Sequence, residues 1–462
     1  MTKQAPLQEV EDFLARHPDL TQFDMMFVDM NGILRGKQLG RDYVKKLYTE
    51  GVRLPASNYI LDWTGQNIAT LDLGSADGDP DFFCKAAPGT LKPVPGAGRP
   101  TGQVIASMVD ENDTPHFADP RHLLELAVAR FADIGLTPVI AIEYEFYLVD
   151  QDDAANGIVH PARSPQTRWR ATTTNVYGLD DVYDFEDLLG DIHSACEVQG
   201  IPAETIVSEY AAGQFEINLH HSSDPLLACD QSIMLERAIK QVARKHGTIA
   251  TFMAKPFAES SGSGLHVHVS LIDKDGNNVM TGEMDDTIER PISDTLRHAI
   301  GGLLAAMPES MAIFAPNANS YRRLRPGTYA PVKGIWGGDN RTLPLRIPGG
   351  EDASVRIEHR VSGADANPYL VVAAVLAGMH HGITNKITPP PPTVGDGYAQ
   401  DGGVELPIRW PVALQAFSEA KILPDYLGQY WCDCFHAARS YECENHHYNI
   451  HALDYEWYLR TA

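Results

Sequence analysis

Residues 139–148 alternate as a strand would: Ile140, Ile142, Tyr144, Phe146 and Leu148 share one face, while Glu143 and Glu145 stand side by side on the other. Two carboxylates held that close repel unless a proton or a cation lies between them. Alone, the pattern describes a solvated strand face equally well. Three further segments repeat it. Residues 209–218 begin with Glu209 and then place Gln214, Glu216 and Asn218 opposite Phe215 and Ile217. Residues 262–270 set His266, His268 and Ser270 against Val267 and Val269, and residues 355–361 present Arg356, Glu358 and Arg360 together. Ionisable groups on every second position of several strands are costly to fold unless something binds there.

Brought onto one concave face, these segments offer five glutamates and at least one usable imidazole. Hard divalent ions such as Mg²⁺ or Mn²⁺ select carboxylate oxygens and tolerate one histidine, so the six ligands can serve two ions. Arginines stand nearby in sequence, in residues 321–323 and 340–346, where a guanidinium fork can hold phosphate or carboxylate. Metals, carboxylates and arginines together point to phosphoryl transfer. The glycine-rich stretch 260–264 is neither a dinucleotide-binding turn nor a Walker loop, because the histidine strand follows it. It is either plain turn chemistry or a place where backbone approaches a ligand.

The elements that must carry these residues fall into two parts, with a boundary expected between 116 and 117. In 1–116, Leu7, Val10, Phe13 and Leu14 have helical spacing, residues 23–38 read as a hairpin turning at Asn31-Gly32, and 103–110 read as a strand. Asp119-Pro120 opens a helix through Phe131. In 117–462, residues 180–199, 223–246, 292–307 and 367–382 read as helices between short strands, and the prolines at 389–392 lead into a helical C-terminal segment. No internal repeat is visible.

Composition narrows the partners. The 462 residues are 44% hydrophobic and 21% charged, as expected of a compact soluble protein. Lys+Arg 37 against Asp+Glu 61 leaves a net charge of −24, which argues against a nucleic-acid partner and favours cations, whether amines or metals. The longest uncharged apolar run, 370–379, is half the roughly 20 residues needed to span a bilayer. The N-terminus lacks the basic start and apolar core of a secretory signal, so no membrane contact and a cytoplasmic location are expected. The six cysteines are sparse and expected to stay reduced. Cys432, Cys434, Cys443, His446 and His447 cluster in sequence, but a helix turns Cys432 and Cys434 apart, unlike a zinc site.

In this order the blocks resemble the glutamine synthetase superfamily along almost the whole chain. The matching residues are Glu143-x-Glu145-Phe146, Glu209 through Gly213-Gln214-Phe215-Glu216, Gly262 through His266-x-His268, Asn319 through Arg323-Leu324, Asn340-Arg341 with Arg346-Ile347-Pro348, and Arg356-Ile357-Glu358-x-Arg360 leading to Asn367-Pro368. Residues 54–57, 322–329 and 361–367 are more similar to the bacterial glutamate–putrescine ligases than to glutamine synthetase itself. The resemblance implies an α+β fold. A small N-terminal β-grasp domain with a leading helix (1–116) would precede a large catalytic domain with a curved antiparallel sheet flanked by helices (117–462). It also implies a ring-shaped homo-oligomer, a dodecamer, with active sites between subunits.

Carried over residue by residue, one metal takes Glu145, Glu209 and Glu216, and the other takes Glu143, His266 and Glu358. Arg341, Arg346 and Arg356 hold the phosphates of ATP, joined by Ser270 and by His268 near the reacting phosphoryl group, while Gly262, Arg323 and Arg360 bind glutamate. Arg341, His268 and Glu209 are the implied catalytic residues. The activity implied is ATP-dependent ligation of an amine to the glutamate γ-carboxylate. The departures concern the amine. The loop that supplies an ammonium-binding aspartate in glutamine synthetase corresponds to 55–58 here, and Tyr329 replaces the glutamate that closes that site. Ser57, Asp62, Trp63 and Tyr329 are therefore the candidate amine-binding residues, and putrescine or another polyamine is the expected amine. A small monoamine such as methylamine or ethanolamine, ammonia, and a silent sensor built on the same fold are the alternatives. Tyr398 is expected to be an ordinary loop tyrosine.

Overall fold

The computed structural model describes residues 5–71, 73 and 78–462. Helix α1 (Leu7–Arg16) buries Val10, Phe13 and Leu14 but leaves Leu7 exposed, so the expected apolar stripe is one residue narrower. Strands β1 (Gln22–Val28) and β2 (Leu34–Gly40) form the expected antiparallel hairpin. Its turn needs Gly32, whose φ is +80°. With β3 (Val52–Pro55), β4 (Asp81–Ala86), β5 (Lys92–Pro93) and β6 (Thr101–Val109) they build one sheet in the order β2-β1-β6-β4-β3, with β5 on β6. Within it β1 and β6 are parallel.

Asp119 then caps α2 (Pro120–Asp133), accepting a hydrogen bond from Arg121 N, and Pro120 occupies a first-turn position where its missing N–H costs nothing. The second sheet is built around β7 (Thr137–Asp150), which leads into the short helix α3 (Gln151–Ala155). The region expected as one helix over 180–199 is two, α4 (Leu179–Asp184) and α5 (Glu186–Gln199). They break at Phe185, which leaves the helical path to pack its ring edge-on to Phe215 at 5.5 Å. Strands β8 (Ala203–Ser208) and β9 (Gln214–Leu219), helix α6 (Pro225–Lys245), β10 (Thr248–Thr251) and β11 (Leu265–Ile272) follow.

A small hairpin, β12 (Glu283–Asp285) with β13 (Arg290–Ile292), absorbs Ile292, which was expected to start a helix. Ser293 caps the helix instead, and α7 (Asp294–Phe314) runs past Met307 with Pro308 inside it. Then come β14 (Lys333–Gly334), β15 (Trp336–Gly337), β16 (Leu345–Arg346), β17 (Ile357–His359), α8 (Pro368–Asn385) and β18 (Val404–Glu405), which pairs β14. The chain ends in α9 (Trp410–Ser418), α10 (Leu423–Leu427), α11 (Gln429–Tyr448) and α12 (Ala452–Tyr458). Cys432 and Cys434 lie on α11, and all six cysteines are buried and free. Among the described residues no helix is long and apolar enough to cross a membrane.

The second sheet has the order β15-β16-β17-β11-β7-β9-β8, with β10 on β7; every pairing is antiparallel except β15 with β16. One face is apolar. Ile140, Ile142, Tyr144, Phe146, Val267, Val269, Phe215 and Ile217 are all buried there, each aliphatic side chain contributing about 1.5–3 kcal/mol. Helices α2, α6 and α8 lie behind the sheet and are stapled by a buried network. Arg121 pairs with Asp230 through two bonds of 2.9 and 3.0 Å, and Tyr369 donates to Asp230 Oδ1 at 2.6 Å. Covering one face with helices leaves the other free for polar residues.

Candidate active site

Strand β7 is the centre of the site, because its neighbours β9 and β11 both present polar side chains to the open face. Register sets Glu143 opposite Asn218 and His266, and Glu145 opposite Glu216. One strand further, His268 faces Glu358, which faces Arg346 on β16. Glu209 arrives differently. It follows β8 in the turn to β9, its N–H donating to Gln214 O at 2.9 Å, so it stands off the strand that the sequence assigned to 209–218. Strand β17 is also shorter than expected; Arg356 and Arg360 flank it.

Hydrogen bonds order the cluster. Arg356 Nε donates to His268 Nδ1 at 3.0 Å, so that ring carries its proton on Nε2, which donates to Glu143 Oε1 at 2.7 Å. Asn218 Nδ2 donates to the same oxygen at 3.0 Å, and His266 Nδ1 lies 3.3 Å from Glu143 Oε2. His266 Nδ1 is 3.9 Å from Glu358 Oε1, and its Nε2 is 3.9 Å from Glu145 Oε1. Glu145 Oε2 accepts from Gly264 N at 2.8 Å and Gln214 Nε2 at 3.3 Å. Glu358 is held by Arg360 and, at 2.5 Å, by Arg346, whose other nitrogens pair with Asp339.

Ligand atoms of Glu143, His268 and Glu358 lie within 4.8 Å of one another, as do those of Glu143, Glu216 and His266. This grouping differs from the one the resemblance implied, since Glu143 is shared and Glu145 and Glu209 fall outside both sets. Position explains it. Glu143, on the middle strand, is within reach of both imidazoles, whereas Glu145 turns to the Gly264 N–H and Glu209 stands on a turn.

Burial disfavours every charged carboxylate here, and neighbours decide the outcome. Glu145 is pushed up to about 7 by burial and then by the Glu209 charge. Glu216 is pushed up to about 9 by burial and by Glu143, Glu145 and Glu209. Burial also raises Glu209, against the Tyr210 N–H and the charges of Arg341 and Arg360. For Glu358 burial is outweighed by Arg360, His268, His266 and Arg346 together, and the group is drawn down to about 2. Glu143 is lowered in the same way, burial yielding to His266 and His268. Burial, with Arg360, takes His266 down to about 4, leaving its imidazole neutral. A set of carboxylates raised by one another, with a neutral imidazole among them, is a fit for divalent cations of the Mg²⁺ or Mn²⁺ kind.

The other expected site residues distribute as follows. Arg341 is exposed and shares a cavity of about 840 Å³ with Arg346, Asp339 and Tyr329. Tyr329 is exposed at φ +54°. Ser270 lies two positions past His268 on the same side of β11. Arg323 is buried and donates to Val361 O at 2.8 Å and Arg360 O at 3.4 Å. Gly262 has no room for a side chain: a Cβ there would lie 2.6 Å from Ala254 O and 2.7 Å from Arg323 Cγ.

The amine candidates of the N-terminal sheet lie apart from the metal cluster of their own chain. Ser57 donates to Asp79 at 3.0 Å in a smaller cavity with Phe82 and His116. Asp62 and Trp63 line a cavity of about 1000 Å³ with Trp410 and Glu442. Asp62 Oδ1 accepts from Thr64 N, Thr64 Oγ1 and Gln66 N, leaving only Oδ2 for a ligand. Sequence reasoning did not assign roles to Gln214 and Asn218, although their alternation with Glu216 marked the face, nor to Asp339, which precedes Asn340-Arg341. Tyr398 donates to Ala330 O at 3.1 Å, near Arg323 and Arg360.

The sheet carries an acidic, arginine-fringed face whose donor set suits divalent cations and phosphate groups. Residues 117–458 match the family described as glutamine synthetase, catalytic domain, and the chain belongs to that family, whose members use ATP and divalent metal ions. It is similar to gamma-glutamylputrescine synthetase PuuA of Escherichia coli (strain K12), with 40% identity over 456 residues, 98% of this chain and 95% of that protein. It is also similar to a glutamate–isopropylamine ligase of Pseudomonas sp, with 33% identity over 401 residues covering 84% and 83%. Among solved structures, a GmaS/ADP complex superimposes with a TM-score of 0.84 at 26% identity, covering 99% of this chain and all (100%) of the other.

Proposed function

We propose that this protein ligates an amine, putrescine or another polyamine, to the γ-carboxylate of glutamate at the expense of ATP, giving a γ-glutamylamide, ADP and phosphate. The observation that carries this reading is the single sheet face on which Glu143, Glu145, Glu216, His266 and Glu358 meet with Arg346, Arg356 and Arg360 at its edge. The relatives that act on putrescine and isopropylamine support the choice of an organic amine.

A γ-carboxylate resists an amine because it is an anion without a leaving group. Transfer of the γ-phosphoryl group of ATP onto it gives γ-glutamyl phosphate; the amine nitrogen then attacks the side-chain carboxyl carbon, Cδ, the C–O bond to phosphate breaks, and the amine sheds a proton. Two divalent ions would draw their ligands from Glu143, Glu145, Glu209, Glu216, His266 and Glu358, with Glu143 within reach of both, and would supply charge neutralisation at the phosphoryl oxygens. Arg341, Arg346 and Arg356 orient the phosphates, and His268, fixed by Arg356, stands beside the reacting group. Arg323, Arg360 and Gly262 hold glutamate, the absence of a side chain at Gly262 letting the Arg323 side chain pack against that backbone. An alkyl amine with a pKa of about 10.4 is almost wholly protonated at neutral pH, so a base must help; Asp62 and Glu209 are the proposed candidates.

The division at 116/117 is proposed as the domain boundary. The active assembly is proposed to be a ring-shaped dodecamer, in which the loop bearing Ser57, Asp62 and Trp63 serves the neighbour's site. The exposed Tyr448, Ile450, Trp457 and Leu459 at the C-terminus are consistent with burial in such an assembly. The test is phosphate release from ATP and glutamate across putrescine, spermidine, methylamine, ethanolamine and ammonia, with mass spectrometry of the product. Putrescine-dependent release with a γ-glutamylputrescine mass supports the reading; release with ammonia alone overturns it.

A further inference from the structure

Lys255 is buried, only 7% exposed, and among the described residues it has no ion-pair partner within bonding distance. Lysines are almost never buried without a paired charge, so a buried solitary ammonium calls for a reason. Its surroundings supply one. The Nζ donates to Ser260 O, closing the loop that ends in Gly262 and Gly264. Its backbone N–H donates to Asn319 Oδ1 at 2.8 Å, and its carbonyl accepts from Asn319 Nδ2 at 2.9 Å. Asn319 begins the short turn that delivers Arg323. One residue thus fastens both segments that carry the proposed glutamate contacts.

The loop it closes is also tied from the sheet side. Tyr147 Oη donates to Ser261 O at 2.7 Å, Gln214 Nε2 donates to Gly262 O at 3.0 Å, and Gly264 N donates to Glu145 at 2.8 Å. On the opposite side Ser263 N donates to Ala254 O at 2.9 Å, and Lys255 adds the charged tie. Burial, and next the nearby Arg325, weaken the hold of the ammonium on its proton, with Glu259 opposing and Arg323 adding to the effect. Lys255, Arg323 and Arg325 thus lie close enough to repel one another, with Glu259 opposing, and a substrate carboxylate beside Arg323 would relieve that repulsion.

We propose that Lys255 is a positioning residue for glutamate: it latches the Ser260 carbonyl, sets the spacing between Gly262 and Arg323, and adds positive charge for the α-carboxylate. This rests on the assignment of Gly262, Arg323 and Arg360 to glutamate.

The experiment compares full-length Lys255→Met, Lys255→Gln and Lys255→Arg with the wild type, varying glutamate and ATP separately, alongside Arg323→Lys. The Met variant should raise the glutamate KM about tenfold or more while the ATP KM stays within about twofold. Gln keeps a donor for Ser260 O but loses the charge and should fall between; Arg keeps both and should recover most of the wild-type KM. If the Met variant does not fold, the Gln and Arg variants carry the comparison. A flat glutamate KM in Met and Gln overturns the proposal, as does an equal rise for ATP and glutamate that Arg does not rescue. A flat glutamate KM in Arg323→Lys instead overturns the pocket assignment, and the proposal with it.

Discussion

At the scale of residues, the site is a balance of charge that burial makes costly. Glu143 and Glu358 are each tied to cationic or imidazole partners, and each would lend oxygen to a metal. Glu143→Ala or Glu358→Ala should lower ATP-dependent phosphate release by about a thousandfold or more, because a lost ligand removes several kcal/mol of charge stabilisation without opening an apolar cavity. Release by either variant at the wild-type rate would remove that residue from the site. Protonation gives a second expectation. Glu145 and Glu216 have folded values of about 7 and about 9, above an unfolded glutamate, so they favour the folded state only while protonated. The metal-free protein should lose melting temperature as pH rises from about 6 to 9, and Mg²⁺ should restore most at the upper end. A melting temperature that is flat or rising over that window in EDTA would contradict the electrostatics given for these carboxylates.

Elements matter here because the sheet has one face for chemistry and one for packing. Helices α2, α6 and α8 close the packing face, and the buried Arg121–Asp230–Tyr369 network is where the three meet. Removing one partner leaves an unpaired buried charge, so Asp230→Ala should lower the free energy of unfolding by about 3–5 kcal/mol in denaturant titrations. A change below about 1 kcal/mol would mean that the apolar contacts alone hold these helices to β7. The site itself does not include Asp230, so residual activity of the folded fraction should keep wild-type KM values. Strand ends behave differently from strand centres: Glu209, Arg356 and Arg360 lie just outside their strands, where backbone geometry is set by turns and by contacts such as the Arg360 N bond to Pro344 O at 2.9 Å.

For the whole molecule, the decisive contacts join the N-terminal sheet to the C-terminal helices. Asn367 Nδ2 donates to Asp29 O at 2.8 Å, Arg439 on α11 donates to Met30 O at 3.3 Å, and Trp63 N donates to Glu442 at 3.2 Å. Arg439 pairs with Glu442 at 2.6 Å and lies 5.8 Å from the Trp63 ring centre, so α11 holds the turn that carries Asp62. Since Asp62 Oδ1 is spent on that turn, an asparagine can keep the turn and lose only the charge. Asp62→Asn should therefore raise the KM for putrescine at least several-fold more than that for butylamine, which lacks the distal ammonium. Equal changes for both amines would exclude Asp62 from distal recognition.

Much of this protein was legible in its order of residues. Period-2 alternation placed Glu143, Glu145, Glu216, His266, His268 and Glu358 on strand faces, because side-chain direction in a strand follows from local geometry alone. The hairpin at Asn31-Gly32 and the cap at Asp119 were legible for the same reason: turn and cap chemistry is local. What the sequence could not contain was register and distance. Which glutamate faces which imidazole depends on how β7, β9, β11 and β17 align, and that alignment made Glu143 the shared residue. The break at Phe185 is tertiary too, since the helical pattern continues through it and only the Phe215 ring gives it somewhere to go. Lys255 was silent in the sequence, standing ten positions before the strand it serves, because burial of a single cation has no periodic signature and exists only once Asn319 and Ser260 have been folded against it.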